Sequence, residues 1–322
     1  MKPNVFHRWR NNADKDVRAP GESNFKMKTV SIIGVGRVGG ALALAFNAKN
    51  KKYRIENLIS RNPNKTREIA DTLIDKPQIF KDAEVEKIKS DIIFICTQDS
   101  EIINVAEKLG GKLTHKPYIF HVSGSLSSEI LSDVKNIGCK TGSIHPLVSV
   151  SDAFLGAQRF ENAYFCVEGE TKAVRLAEKI VEDLNGKSFS IETKHKILYH
   201  AAAVTACGHL VAVIDTALEM LRICGLENVN AQKILLPLIK STIENLETQT
   251  TAQALTGTFA RADSPTFEKH LEALNGNVSL LAVEIYLSLG ERSLELAEKQ
   301  GADSVNLEKI RKSISLAKKN LK

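Results

Sequence analysis

The 322-residue sequence holds no Cys-x-x-Cys pair, and no histidine stands at metal-ligand spacing beside its five cysteines, Cys96, Cys139, Cys166, Cys207 and Cys224. Such scatter argues against a zinc or disulfide framework and suits a reducing cytoplasm, with no metal expected. Aromatic residues are scarce, at 6%. Charge of one sign is also missing from the body of the chain: residues 1–26 carry +3 and residues 308–322 carry +5 of the formal +6, which leaves −2 between them. A basic stripe interleaved with aromatics is therefore absent, and no nucleic-acid partner is expected. The opening MKPNVFHRWRNNADKDVRAP lacks the apolar core of a secretory signal, with Asp14 and Asp16 in its place. Residues 1–26 are expected to be a disordered extension. An uninterrupted hydrophobic run is lacking too, because ILYHAAAVTACGHLVAVIDTALEML has the length of a membrane span but contains His200, His209, Asp215 and Glu219. A buried helix of a cytoplasmic protein, with no membrane partner, is the expectation.

What is present is the balance of an ordinary globular chain, 43% hydrophobic and 25% charged, long enough for two domains with cores. From Thr29, short apolar runs (TVSIIG, ENLIS, DIIFICT, PYIFHVS, GCKTGSIH) alternate with helical patterns (TREIADTLI, EIINVAEKL, SSEILSDV), and AYFCVEG, TKAVRLAEKIVEDLN and KSFSIE add one more unit. Strands that are nearly continuously apolar, separated by helices, predict a doubly wound parallel sheet of Rossmann type, α/β in class. Beyond about His195 only the 3.6-residue period remains, which predicts an all-helical second domain. The expected domains are 27–193 and 194–322.

GVGRVGG, residues 34–40, falls between the first predicted strand and its helix. Gly34 permits the tight turn, Gly36 lets backbone approach a pyrophosphate, and Gly39 lets helix pack on strand, with Arg37 and Val38 in the same loop. The plainer alternative is a strand–helix turn that uses glycine for steric reasons alone. At the end of the second strand an NAD site would usually place an acidic residue for the ribose hydroxyls, and this chain has Ser60-Arg61-Asn62. A guanidinium and a hydroxyl suit the 2′-phosphate of NADP, while a surface arginine is the alternative. Thr97 and Gln98, at the carboxyl end of a later strand, are candidates to touch cofactor or substrate, and Asp99 is a candidate or merely a helix cap.

HVSGSLSSEIL (121–131), GSIHPL (142–147), KILYHAAAV (196–204) and ALTGTFARAD (254–263) occur together in this chain. In that combination, from Met27 to about Leu289, it resembles the Rossmann-like proteins that carry the domain of unknown function 2520. Those are distant relatives of pyrroline-5-carboxylate reductase and of the 6-phosphogluconate and 3-hydroxyisobutyrate dehydrogenases. The resemblance implies an N-terminal NADP-binding domain, a helical domain that builds a homodimer, and an active site in the cleft between them. It supplies no substrate. One departure is Ala206-Cys207-Gly208, where the family commonly shows Ala-Ser-Asn.

Hydride transfer to C=N or C=O requires a proton donor beside the cofactor. Lys196 and His200 are spaced i, i+4 and share a helix face. The resemblance to the hydroxyacid dehydrogenases makes Lys196 a candidate acid and His200 an orienting group; a solvated lysine and a satisfied core histidine are the alternatives. His145 precedes a proline, which favours extended backbone at a strand end, and its titration range suits proton transfer. Thr256, Arg261 and Asp263, in TGTFARAD, are candidate substrate contacts, with Arg261 able to hold a carboxylate or to pair with Asp263. Ser123 is a weaker substrate candidate that could cap the next helix instead, and His270 is weaker still. The function these residues predict is an NADP-dependent oxidoreductase acting on a small imino or keto acid; the alternative is a non-catalytic dinucleotide-binding sensor or scaffold.

Overall fold

The computed structural model describes residues 27–321, so the expectation for residues 1–26 lies outside the described residues. Two compact units divide the chain, one ending at Ala203 and one beginning at Val204. The first holds one eight-stranded sheet in the order β3-β2-β1-β4-β5-β6-β7-β8. Its elements, in chain order, are β1 (Lys28–Ile33), α1 (Arg37–Asn47), β2 (Tyr53–Ile59), α2 (Pro63–Ala70), β3 (Gln78–Phe80), β4 (Ile92–Ile95), α3 (Asp99–Lys112), β5 (Tyr118–His121), α4 (Ser132–Asn136), β6 (Lys140–Pro146), α5 (Ala153–Arg159), β7 (Tyr164–Gly169), α6 (Thr171–Asp183) and β8 (Lys187–Phe189).

Strand residues alternate between two apolar layers, as a sheet covered on both faces demands. Ile32 and Phe94 join Phe46 and Phe120 on one side, whereas Ile33 and Ile95 join Ile102 and Leu109 on the other. All strand pairs are parallel except β6 with β7, which are antiparallel. The expectation of a parallel sheet is corrected at that one pair: the connection holding α5, an element the sequence patterns did not predict, begins and ends at the same end of the sheet instead of crossing over it, so β7 runs beside β6 in the opposite direction. The short strand β3 was likewise not predicted.

Because strand order reverses between β1 and β4, the loops after these two strands border the switch point where ligands bind in open α/β sheets. Those loops are Gly34–Gly36 and Cys96–Gln98.

The remaining helices are α7 (Lys196–Ile223), α8 (Asn228–Thr248), α9 (Thr251–Ala254), α10 (Gly257–Ala260), α11 (Ser264–Leu274), α12 (Leu280–Lys299) and α13 (Ser304–Asn320). The first two turns of α7 belong to the sheet unit, ten residues past the boundary expected from the change of periodicity. In the second unit Phe267, Leu287, Leu294, Leu307, Ile310 and Ile314 form a core. The long apolar helix α7 is not buried as expected: Lys196 is its one buried residue, while Val211 is 66% exposed. Ile197, Leu198, Val211 and Ile223 are among its exposed apolar side chains, while Ile214, Leu218 and Leu221 are half-buried. The helix spanning Thr193–Ile223 is the one candidate among the described residues that is long and apolar enough to cross a membrane.

Candidate functional site

The glycine loop has the geometry of a cradle. Gly34 sits at φ +95°, and a Cβ there would lie 2.7 Å from the Cys96 carbonyl carbon and from the Thr97 nitrogen. A Cβ on Gly39 would collide with the Gly34 carbonyl oxygen. These two glycines allow the β1 and β4 loops and α1 to close on one another. Gly36 differs, because nothing lies within 4 Å of its missing Cβ. It holds the N-cap position of α1 with no side-chain cap, so the helix N-terminus presents unsatisfied N–H groups over open space.

Arg37 is exposed and Val38 half-buried beside that opening. At the end of β2, Arg61 is exposed, while the Ser60 hydroxyl is 2.5 Å from that of Thr66 and Asn62 caps α2 by accepting from the Asn64 and Lys65 nitrogens. After β4, the buried Thr97 hydroxyl has no hydrogen-bond partner among the described residues. Gln98 is exposed at the N-cap position of α3. Asp99 is the first residue of α3 and does not serve as its cap, which corrects that alternative. Its carboxylate accepts from the hydroxyls of Ser123, at 2.8 Å, and Ser125, at 2.6 Å. Ser123 in turn accepts from the nitrogens of Ser125 and Leu126 and fixes the turn after β5.

A second cluster forms where the ends of β5 and β6 meet the start of α7. The His145 Nδ1 lies 2.8 Å from the Tyr199 hydroxyl, and the His145 and His200 rings stand edge-on with centroids 5.8 Å apart. Gly124 lies between them: a Cβ there would fall 2.5 Å from the His200 Nδ1 and 2.7 Å from the His145 Nε2. The absence of a side chain at Gly124 is what lets two imidazole nitrogens converge on one stretch of backbone. The buried His200 Nδ1 has no hydrogen-bond partner among the described residues, so the alternative of a satisfied core histidine does not hold. Burial first, then the charges of His200 and Lys196, lower the His145 imidazole to about 4. Burial raises the Tyr199 phenol well above its usual range, so it stays protonated and shares one hydrogen bond with Nδ1. When the phenol is the donor in that bond, the His145 proton resides on Nε2, facing Gly124.

Lys196 is 1% exposed, which overturns the solvated-lysine alternative. Its ammonium donates to the Ser143 hydroxyl and forms an ion pair with Glu168 at 2.9 Å. Glu168, 5% exposed, also accepts from the Ser128 nitrogen and hydroxyl, both at 2.8 Å. Burial alone would raise its carboxyl; the Lys196 charge and these hydrogen bonds outweigh burial and lower it. Sheet register builds this arrangement, because Ser143 pairs with His121 on β5 and with Glu168 on β7, in one polar row beneath α7. His121 is fully buried, with Nδ1 accepting from the Ser123 nitrogen, and burial followed by the Lys196 charge lowers it to about 4.

Sequence reasoning missed Tyr199, Glu168, Ser143 and Gly124. Three of them stood inside motifs already singled out, Tyr199 in KILYHAAAV, Ser143 in GSIHPL and Gly124 in HVSGSLSSEIL.

In the helical unit Thr256 is exposed at the N-cap position of α10 without a side-chain cap, and Arg261 is exposed at its C-cap. Asp263 accepts from the Thr266 nitrogen at 3.1 Å and hydroxyl at 2.8 Å, so its carboxylate caps α11. No Arg261–Asp263 ion pair forms among the described residues, which corrects that alternative: the cap takes the carboxylate instead. The loop holds Gly257 at φ +79° and the buried Ala262 at φ +50°. His270 Nδ1 is 2.8 Å from the Tyr286 hydroxyl.

Residues 29–121 match the family model described as NADP oxidoreductase coenzyme F420-dependent, and residues 163–293 match the domain of unknown function DUF2520. The chain thus matches an NADP-oxidoreductase model in its first part and the DUF2520 model, which its motifs resemble, in its second. No curated protein matches it. Among solved structures, protein TM1727 of Thermotoga maritima is similar at 24% identity over 84% of this chain and 99% of its own, with a TM-score of 0.64. An imine reductase of Myxococcus stipitatus in complex with NADP+ is similar at 16% identity over 88% of this chain and 99% of its own, TM-score 0.56. A pyrroline-5-carboxylate reductase of Coxiella burnetii shows 15% identity over 84% and 98%, TM-score 0.54. At these identities the shared property is the fold, a Rossmann-type sheet followed by helices.

Proposed function

We propose that this protein is an NADP-dependent oxidoreductase that moves a hydride between the nicotinamide and a small imino or keto acid. The observation that carries the reading is the opening at Gly36: a bare helix N-terminus at the switch point of the sheet, with the unpartnered Thr97 hydroxyl in the neighbouring loop. These residues fit a dinucleotide. The backbone of Gly34–Gly39, with Arg37 and Val38, would hold the pyrophosphate. Arg61 would meet the 2′-phosphate, and Ser60, tied to Thr66, would support it. Thr97 and Gln98 would face the nicotinamide half. The imine reductase of Myxococcus stipitatus is in complex with NADP+, and the matched family model is that of NADP oxidoreductases. When bound, NADP supplies or takes the hydride.

The chain's own residues handle the rest. With the Tyr199 hydroxyl donating to Nδ1, the neutral His145 would offer its Nε2–H as a hydrogen-bond donor to the substrate atom on which charge develops. His200 orients the substrate beside it. Ser123 remains a substrate contact of lower rank, since its hydroxyl already serves a turn.

The exposed apolar residues of α7 and α8, among them Val211, Ile234 and Leu238, support a homodimer through the helical unit rather than a membrane contact, because His209, Asp215 and Glu219 lie within the same stretch. Free cysteines and the near-neutral body support a cytoplasmic protein without a nucleic-acid partner.

The test is NADPH fluorescence titration of the purified protein beside NADH. Saturable binding with NADPH preferred is expected, and no binding of either at millimolar concentration would overturn the reading.

A further inference from the structure

Lys196 is the lysine to which the resemblance gives the acid's role, yet at 1% exposed it is almost as inaccessible as His121. Its ammonium is held by Ser143 and Glu168, and both ion-pair partners are more than nine-tenths buried. Three features connect this pair to the site. Ser143 stands two residues before His145 on β6, so the two side chains leave the same face of the sheet. Glu168 lies opposite Ser143 in the β6–β7 register. Tyr199 and His200 follow Lys196 by three and four residues on α7, which places all three on one helix face.

We infer that Lys196 is a positioning residue: its ion pair with Glu168 clamps the first turn of α7 onto β6 and β7 and thereby sets Tyr199 and His200 against His145. No other ion pair within the sheet unit ties α7 to the sheet among the described residues. A lysine acting as the acid would need its ammonium free to reach substrate, whereas here the geometry assigns proton handling to Tyr199 and His145. The inference uses the proposed oxidoreductase activity for one of its readouts and is independent of it for the others.

The test is a double-mutant cycle with Lys196→Met, Glu168→Gln and the two combined, read in the full-length protein by thermal melting, by 15N imidazole resonances of His145 and His200, and by turnover of imino and keto acids with NADPH. Either single change leaves one buried charge without its partner. Each is expected to lower Tm by roughly 10 °C and to shift both imidazole resonances. Gln keeps an acceptor for the Ser128 nitrogen and Met is neutral, so the double variant is expected to restore the resonances and most of the Tm. Its turnover is expected within about threefold of the parent, against a loss of roughly 100-fold in Lys196→Met.

If the double variant regains the parental resonances and Tm but stays as inactive as Lys196→Met, Lys196 supplies a proton and the inference falls. It falls equally if Lys196→Met leaves the resonances unmoved. Should a single variant fail to fold, the folded double variant still decides between the two roles. A parent protein that turns over no substrate would sink the proposed function, while resonances and melting would still judge the clamp.

Discussion

The Tyr199 hydroxyl lies 2.8 Å from the His145 Nδ1, and this one contact joins the end of β6 to the first turn of α7 across 54 residues of chain. It ties the imidazole tautomer to the orientation of the phenol proton. Tyr199→Phe removes the donor while keeping the ring that stands edge-on to His145. The expected result is a kcat/KM lowered by roughly 10- to 100-fold with Tm changed by only a few degrees, measured by steady-state kinetics and melting. An unchanged kcat/KM would remove Tyr199 from the proton path.

Gly34 and Gly36 make opposite predictions although they are two residues apart. Gly34→Ala places a Cβ against backbone at a φ of +95° and is expected to cost about 2–4 kcal/mol, visible as a lower denaturation midpoint. Gly36→Asp projects into open space, so the fold survives. Its carboxylate at the α1 N-terminus occupies the place of a phosphate, and NADPH affinity is expected to drop by roughly 100-fold.

Arg61→Ala tests the choice between NADP and NAD. Loss of one charge-assisted contact is expected to weaken NADPH by roughly 10- to 100-fold and leave NADH nearly unchanged, compared by titration of both. Equal weakening of the two would mean that Arg61 does not read the 2′-phosphate.

Acid should destabilise the sheet unit in two stages. His121 and His145 titrate near 4 in the folded protein against about 6.5 when unfolded, so the unfolded chain binds their protons first. Their contribution is complete above about pH 6.5 and fades as pH falls toward 4, on the order of 3 kcal/mol for each imidazole. Glu168, lowered by Lys196, adds stability that is present above about pH 4.3 and is lost below it. Urea midpoints from pH 8 to pH 4 check the first stage: His145→Gln should flatten part of the slope, and a parallel slope would reject the assignment.

The apolar faces of α7 and α8 predict association. Val211 and Leu238 are 66% and 64% exposed. Glutamate at both positions is expected to convert a dimer to a monomer in light scattering without reducing NADPH binding. A parent protein that is monomeric at micromolar concentration would refute the dimer.

Much of this protein was legible along the chain because it rests on local rules. Apolar runs of strand length marked seven of the eight strands, all but β3, and GVGRVGG marked the cradle because steric demands at Gly34 and Gly39 act on a few neighbouring residues. The motif set likewise anticipated the joined NADP-oxidoreductase and DUF2520 segments. Three residues of β3 were too few to carry a period, and α5 hid in a connection that read as loop.

The direction of β7 and the partners of Lys196 were decided only in three dimensions. Helical spacing put Lys196 and His200 on one face, but it could not say what that face meets. The answer came from β6 and β7, whose antiparallel register sets Ser143 beside Glu168 and delivers both to a lysine 53 and 28 residues away. A buried ammonium persists only where a carboxylate and hydrogen bonds compensate its desolvation, and such compensation depends on tertiary packing rather than on neighbours in sequence.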